Sequence, residues 1–301
     1  MKTVNLAITE PKRLDVALAA ALKVSRVQAQ RLIKSGEVKM NGIEVTPHVI
    51  ANNEDVITFD KKIEKKVKKE VVTVPILFEN DDVIVVNKPA GLLVHPTATS
   101  KTWTVADTLL AHYPAIEGVG GDKTRSGIVH RLDKDASGVL IAAKNDRAHA
   151  FLKDQFKNRH AEKIYTVLVH DIVKDDAETI NFPIARSKTR ARMAARPTSQ
   201  EGKEAITHFD VVTRYANATL LRVRIETGRT HQIRAHMFAF GHPVAGDTVY
   251  NRKDLKPFNF GRIFLHATQL TIPLPDGTTQ TFSAPLPQEL EEALTTLHKL
   301  S

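Results

Sequence analysis

The segment from Gly127 to Lys144 constrains this chain more than any other. It holds a turn, His130-Arg131-Leu132-Asp133, then a small-residue loop at Ala136-Ser137-Gly138, then the strand-forming run Val139-Leu140-Ile141-Ala142-Ala143. The chain must therefore deliver an acid on a loop that leads directly into a strand. A lone carboxylate beside a fixed cation is an arrangement that suits a nucleophile or base held ionised. By propensity alone, an Asp after a Leu serves as readily as a helix cap or a buried salt bridge. The rest of the chain has to decide between these uses.

Several other segments alternate in the manner of strands: 163–169, 205–213, 218–226 and 262–272. Ile76-Leu77-Phe78 and Val83-Ile84-Val85-Val86-Asn87, joined by Glu79-Asn80-Asp81-Asp82, have a hairpin pattern. Trp103 to Tyr113 and Asp146 to His160 read as amphipathic helices. The helices are not spaced evenly between strand pairs, as βαβ winding would require. The spacing predicts an α+β large domain over 71–301, with a mixed or antiparallel sheet flanked by helices.

A small α/β module is expected over 1–59. Leu14, Leu18 and Leu22 recur at helical spacing, and Ser25 with Gln28 reads as a capping box opening a second helix that stops at Gly36. Asn41-Gly42 then reads as the turn of a hairpin. Residues 60–70 are rich in Lys and Glu with little apolar periodicity, and read as a charged linker.

Composition excludes several chemistries. The chain has no Cys, so it has no disulfide, thiolate metal site or Cys nucleophile. Its 13 His include no His-Glu-x-x-His element, and no metal or cofactor is expected. A metal-dependent nuclease is therefore the weakest reading. The N-terminus lacks the apolar core of a signal peptide and no run is long enough to span a membrane, so a cytoplasmic protein without a membrane partner is expected. Net charge is +9, and residues 1–70 carry fourteen Lys and Arg against nine Asp and Glu. This basic N-terminal bias suits a polyanion partner. On and beside the second helix, Lys23, Arg26, Arg31 and Lys34 are candidate phosphate contacts. A second basic cluster, including Arg186, Arg190, Arg192 and Arg196, reads as a mobile loop that contacts phosphates and orders on RNA.

Five motifs in order give the chain a family likeness. They are Val85-Val86-Asn87-Lys88-Pro89-Ala90-Gly91-Leu92, the Asp133 segment, Tyr165 within Glu162 to Val167, Thr227 to Met237, and Phe264-Leu265-His266-Ala267, the last taken as the end of a strand. Together they resemble the RluA/RluD-type RNA pseudouridine synthases, and residues 1–59 resemble the αL RNA-binding module. The resemblance implies that Asp133 is the essential carboxylate, attacking the target ribose or taking a proton from it. It implies that Arg234 pairs with Asp133 through a two-pronged guanidinium contact, and that Tyr165 stacks on a flipped uracil. Arg131 is expected to fill the space of the extruded base or to clamp a neighbouring phosphate. Arg229, His231 and His236 are expected to serve only as turn and strand support. The implied reaction needs no cofactor, and the implied partner is large-subunit rRNA or an assembling ribosomal subunit, met by a monomer. Ala136 departs from the Thr common at that position, which removes a local turn hydrogen bond. The competing reading is a non-catalytic RNA-binding or ribosome-assembly factor of the same fold.

Overall fold

The computed structural model describes residues 2–3, 10–22, 24, 26–59, 71–97, 100, 102–187, 189, 192–197 and 199–300. The expected cap at Ser25, the linker 60–70 and the candidate contacts Lys23 and Arg190 lie outside the described residues. Two compact units form, Met1–Lys68 and Lys69–Ser301.

The first unit runs β1 (Lys2–Thr3), β2 (Lys12–Arg13), α1 (Leu14–Leu22), α2 (Arg26–Lys34), β3 (Val38–Met40), β4 (Ile43–Glu44), β5 (Ile50–Ala51) and β6 (Ile57–Phe59). Its helices bury Leu14, Leu18, Ala29 and Ile33 against Val38 and Ile57. The Asn41-Gly42 turn has φ of 54° and 81°, the pair of positive values that matches strand twist in a two-residue hairpin. Asp15, fully buried, accepts from Arg13 (3.2 and 3.0 Å), Arg26 (3.0 Å) and Gln30 (2.6 Å), which ties the two helices together.

In the second unit, β7 (Ile76–Glu79) and β8 (Val83–Lys88) form the expected hairpin, whose turn is closed by N–H groups of Asp82 and Val83 donating to the Asn80 side chain. α3 (Val105–His112) opens with a Thr104/Asp107 capping box. Then come β9 (Ser137–Ala143), buried along its whole length, and α4 (Asp146–Lys157), capped by Asn145. The chain continues through β10 (Glu162–His170), β11 (Ala177–Ile180), β12 (Ile184–Arg186), β13 (Met193–Ala195), β14 (Thr207–Tyr215) and β15 (Ala218–Ile225). It ends with α5 (Gln232–Ala239), β16 (Leu265–Pro273), β17 (Thr279–Ser283) and α6 (Gln288–Thr295).

Nine strands join in one sheet, ordered β11-β14-β15-β10-β16-β9-β8-β7, with β17 also on β16. All pairings are antiparallel except β9 with β16, so the sheet is mixed and the fold is α+β as expected. The parallel seam is short: His266 pairs Ser137 and Ala267 pairs Gly138, after which β16 turns to β17. The backbones approach so closely there that a Cβ on Gly138 (φ +117°) would lie 2.1 Å from the Ala267 carbonyl oxygen.

Three local expectations need correction. Residues 232–239 are a helix, not turn and strand: Ile233 and Met237, four apart, face the core, a period that the interleaved cations obscure. Residues 184–186 and 193–195 pair as the antiparallel strands β12 and β13 and are not loop, because Ile184 and Met193 pack with Ala235 and Tyr250 in a small core of their own. Leu265–Ala267 begins a strand and does not end one.

Candidate active site

Asp133 lies on the irregular segment between residues 128 and 136 that leads into β9. Two side chains hold this segment. His130 stacks on Phe156 with ring centroids 4.5 Å apart, and its Nε2 accepts the N–H of Ile141 at 3.0 Å. Burial and the nearby Lys163 push its pKa down to about 3, so the ring stays neutral and able to accept. From the other side, Lys88 donates to three carbonyls, those of Pro89 (2.8 Å), Leu92 (2.9 Å) and Lys134 (3.0 Å). Burial, with the charge of Arg262, pushes Lys88 down to about 7. The Lys88-Pro89-Ala90-Gly91 turn is thus a brace beneath the acid-bearing segment. Beneath β9, Arg262 donates to Ser137 Oγ (2.7 Å), which bonds His266 Nδ1 (2.8 Å), and His266 Nε2 donates to the Ala284 carbonyl (3.2 Å). This chain of contacts binds the parallel seam through side chains as well as backbone.

Asp133, Tyr165, Arg234 and Arg131 line one pocket of about 470 Å³, together with His130, Lys163, His231 and Leu265. Arg234 comes from the first turn of α5 and is almost fully buried. Its Nη1 reaches Asp133 Oδ2 at 3.3 Å, a single contact instead of the expected two-pronged one. The fork is used elsewhere: Nε and Nη2 donate to the two oxygens of Asp247 at 2.7 and 2.9 Å. Asp247, fully buried, also accepts the N–H groups of Val249 (2.8 Å) and Tyr250 (2.9 Å). Burial would raise its pKa, but the Arg234 contacts and these N–H donors outweigh that and hold it below the ordinary carboxylate value. Asp247 thus orients the guanidinium and leaves one arm for Asp133. Asp133 Oδ1 has no hydrogen-bond partner among the described residues.

Tyr165 is carried on β10 where its register with β16 slips: Ile164 pairs Gln269 but Tyr165 pairs Ala267, leaving Thr268 as the extra residue. Such an irregularity re-aims neighbouring side chains. Burial, and then the Asp133 charge, raises the Tyr165 phenol above its ordinary range, so it stays protonated.

Arg131 is exposed, lines the pocket, and has no partner among the described residues. Arg125, Lys153 and Lys157 are exposed on the same rim. Their positions, far apart in sequence, gave no motif to find. His231 caps α5 in the left-handed region (φ 55°), and His236 is buried between Thr207 and the Phe182 carbonyl. Arg192 does not hang free. It stacks on Phe238 (4.5 Å) and Tyr250 (4.8 Å) and donates to the Val249 carbonyl (2.6 Å). Arg186 lies at the end of β12 and lines a separate groove with Arg196 and Lys203. In the first unit, Arg26 is engaged with Asp15, while Arg31 and Lys34 are exposed on α2. No group of three His, Asp or Glu side chains that could hold a metal ion is found among the described residues, and none of the described helices is long and apolar enough to cross a membrane.

A partly buried carboxylate with one free oxygen, a neutral phenol and a fixed guanidinium, ringed by cations, define an acid–base or nucleophilic site facing a polyanion. Comparison with known proteins narrows this class. A model described as RNA pseudouridylate synthase matches residues 82–239, and an S4 domain model matches residues 12–57. The chain is 38% identical over 292 residues to YlyB, an RNA pseudouridine synthase of Bacillus subtilis, covering 96% of this chain and 95% of the relative. It is 37% identical over 309 residues to a ribosomal large subunit pseudouridine synthase D of Zymomonas mobilis, covering 97% and 96%. Among solved structures, human RNA pseudouridylate synthase domain containing 1 matches with a TM-score of 0.61 at 26% identity, covering 76% of this chain and 89% of that one. The chain belongs to the RNA pseudouridylate synthase family, as an RNA isomerase with an N-terminal S4 domain.

Proposed function

We propose that the protein isomerises specific uridines of large-subunit ribosomal RNA, with Asp133 as the essential carboxylate and the target base flipped into the pocket. The observation that carries this reading is the free Oδ1 of Asp133, held inside a family-matched pocket by a guanidinium that is itself anchored. The reaction breaks N1–C1′, turns the uracil, joins C5 to C1′, releases a proton from C5 and protonates N1. Asp133 meets the ribose, by attack at C1′ or by taking the 2′ proton, and either role needs an ionised oxygen not already bonded. Tyr165, buried and protonated, offers a flat ring against which the uracil packs. Arg131 and the cations of the rim engage the flanking phosphates. The ribosomal target is supported by the relatives named for the large subunit and by the exposed cations on α2 of the S4 domain.

The test is tritium release from ribosomal RNA carrying 5-tritiated uridine, supplied naked and as large-subunit particles. Release by the parent and none by Asp133→Asn is expected. Equal release by both removes Asp133 from the chemistry, and silence of the parent on both substrates removes the ribosomal target.

A further inference from the structure

Lys163 lies on β10, two residues before Tyr165, and both side chains line the Asp133 pocket. Residues at i and i+2 of a strand share a face. Lys163 is buried, with 9% of its surface exposed, yet its three donors make a single long contact among the described residues, 3.5 Å to the Glu226 carbonyl. The Glu226 carboxylate is engaged elsewhere, with His208 at 2.8 Å and Arg159 at 3.6 Å. A buried ammonium without an ion pair is costly, and native structures keep such groups where a partner arrives later. The other buried cation of the pocket, Arg234, is already committed to two carboxylates.

We infer that Lys163 is a further catalytic residue, whose ammonium donates a hydrogen bond to a carbonyl oxygen of the detached uracil. The inference rests on the uridine-isomerisation reading and adds to it the group that meets the base's charge. When N1–C1′ breaks, the electron pair stays with the ring and spreads from N1 onto both carbonyl oxygens. When C5 bonds C1′, that pair enters the new bond and the ring is neutral again; the C5 proton then leaves to solvent and N1 takes one up. Lys163 gains and loses no proton in this cycle. It supplies fixed charge in a water-poor pocket, where such a donor has its largest effect. The titratable and charged groups around it are His130 on the Asp133 segment, Arg159 after α4 and Glu226 after β15. Burial, and then Arg159, pushes Lys163 down to about 8, and His130 is already neutral well below that. The protonated form is therefore lost as pH rises through about 8.

The experiment compares the parent, Lys163→Met and Lys163→Arg in single-turnover tritium release at saturating ribosomal RNA, with RNA affinity and Tm measured alongside. Lys163→Met is expected to slow release about 100-fold with unchanged RNA affinity. Lys163→Arg is expected to restore most of the rate and to remove the parent's fall above about pH 8. Equal rates for the parent and Lys163→Met would overturn the inference while leaving the isomerase reading intact. So would two variants equally slow and equally lowered in Tm, the mark of a packing role. Silence of the parent itself would overturn the underlying reading, and the inference with it.

Discussion

Asp15 in the S4 domain and Asp133 in the catalytic unit are both enclosed carboxylates that face an arginine, and they are used in opposite ways. Asp15 is saturated: Arg13, Arg26 and Gln30 all donate to it, and Arg13 also touches His48. Burial would raise its pKa, but these donors outweigh that and hold it far below the ordinary value of 3.8. Asp133 receives one contact of 3.3 Å and keeps an oxygen open. Behind Arg234, Asp247 takes the saturated role, accepting four hydrogen bonds. An enclosed acid is structural when its bonds are complete and reactive when they are deliberately short by one. The Asp15 side chain is fully covered and that of Asp133 is 13% exposed, and the count of donors differs with it.

Substitutions that interchange these roles give the sharpest checks. Asp133→Asn should lower tritium release roughly 10⁴-fold or more while changing unfolding free energy by less than about 0.5 kcal/mol in urea titration. A large loss of stability instead would make Asp133 structural and erase the contrast. Asp247→Asn should do the reverse first: about 3–5 kcal/mol of stability lost, because Arg234 is left buried beside a weaker partner, with activity falling as the guanidinium loses its aim. Asp15→Asn should cost about 1–3 kcal/mol, less because its arginines are half exposed. That loss should appear in denaturation of the S4 domain, with the tritium-releasing step unchanged once RNA is bound.

The sign of the acid dependence follows from the depressed pKa of Asp15. Its folded-state value lies below its unfolded one, so its contribution is complete above the unfolded value and disappears as pH falls through the folded one. The stability gap between the parent and Asp15→Asn should be full at about pH 6 and shrink on acidification below about pH 4. A gap constant with pH would mean that the clamp acts through packing alone. The smallest effect is expected at Arg192, stacked on two rings beyond the pocket. Arg192→Ala should cost about 0.5–2 kcal/mol and leave the salt dependence of RNA binding unchanged, whereas a phosphate contact would lower that slope.

Much of this was legible in the sequence where one period dominates. The alternating segments became β10, β14, β15 and β16, and Asn41-Gly42 became the hairpin turn. The motifs also placed Asp133, Tyr165 and Arg234 on elements that meet in one pocket. What stayed hidden depends on contacts that no local pattern encodes. Asp247 sits 13 residues beyond Arg234 in a loop with no periodicity, so its claim on the guanidinium fork exists only in three dimensions. The helix α5 was masked by Arg234 and His236, polar residues that are themselves buried, and the β12–β13 pairing by a cluster of cations around two apolar anchors. Lys163 carried no signal except its place beside Tyr165. Its significance is the hydrogen bonds it fails to make.

The parallel seam has a consequence for how the protein comes into being. Ser137 and His266, joined there, are separated by 129 positions in the chain. Contacts so remote in sequence must close a long loop before they repay it, and topologies built on them fold slowly. The Asp133 segment therefore stays unanchored on one side until the last strands have been synthesised and have docked. Fragments ending before β16 should therefore stay inert however well their earlier strands assemble.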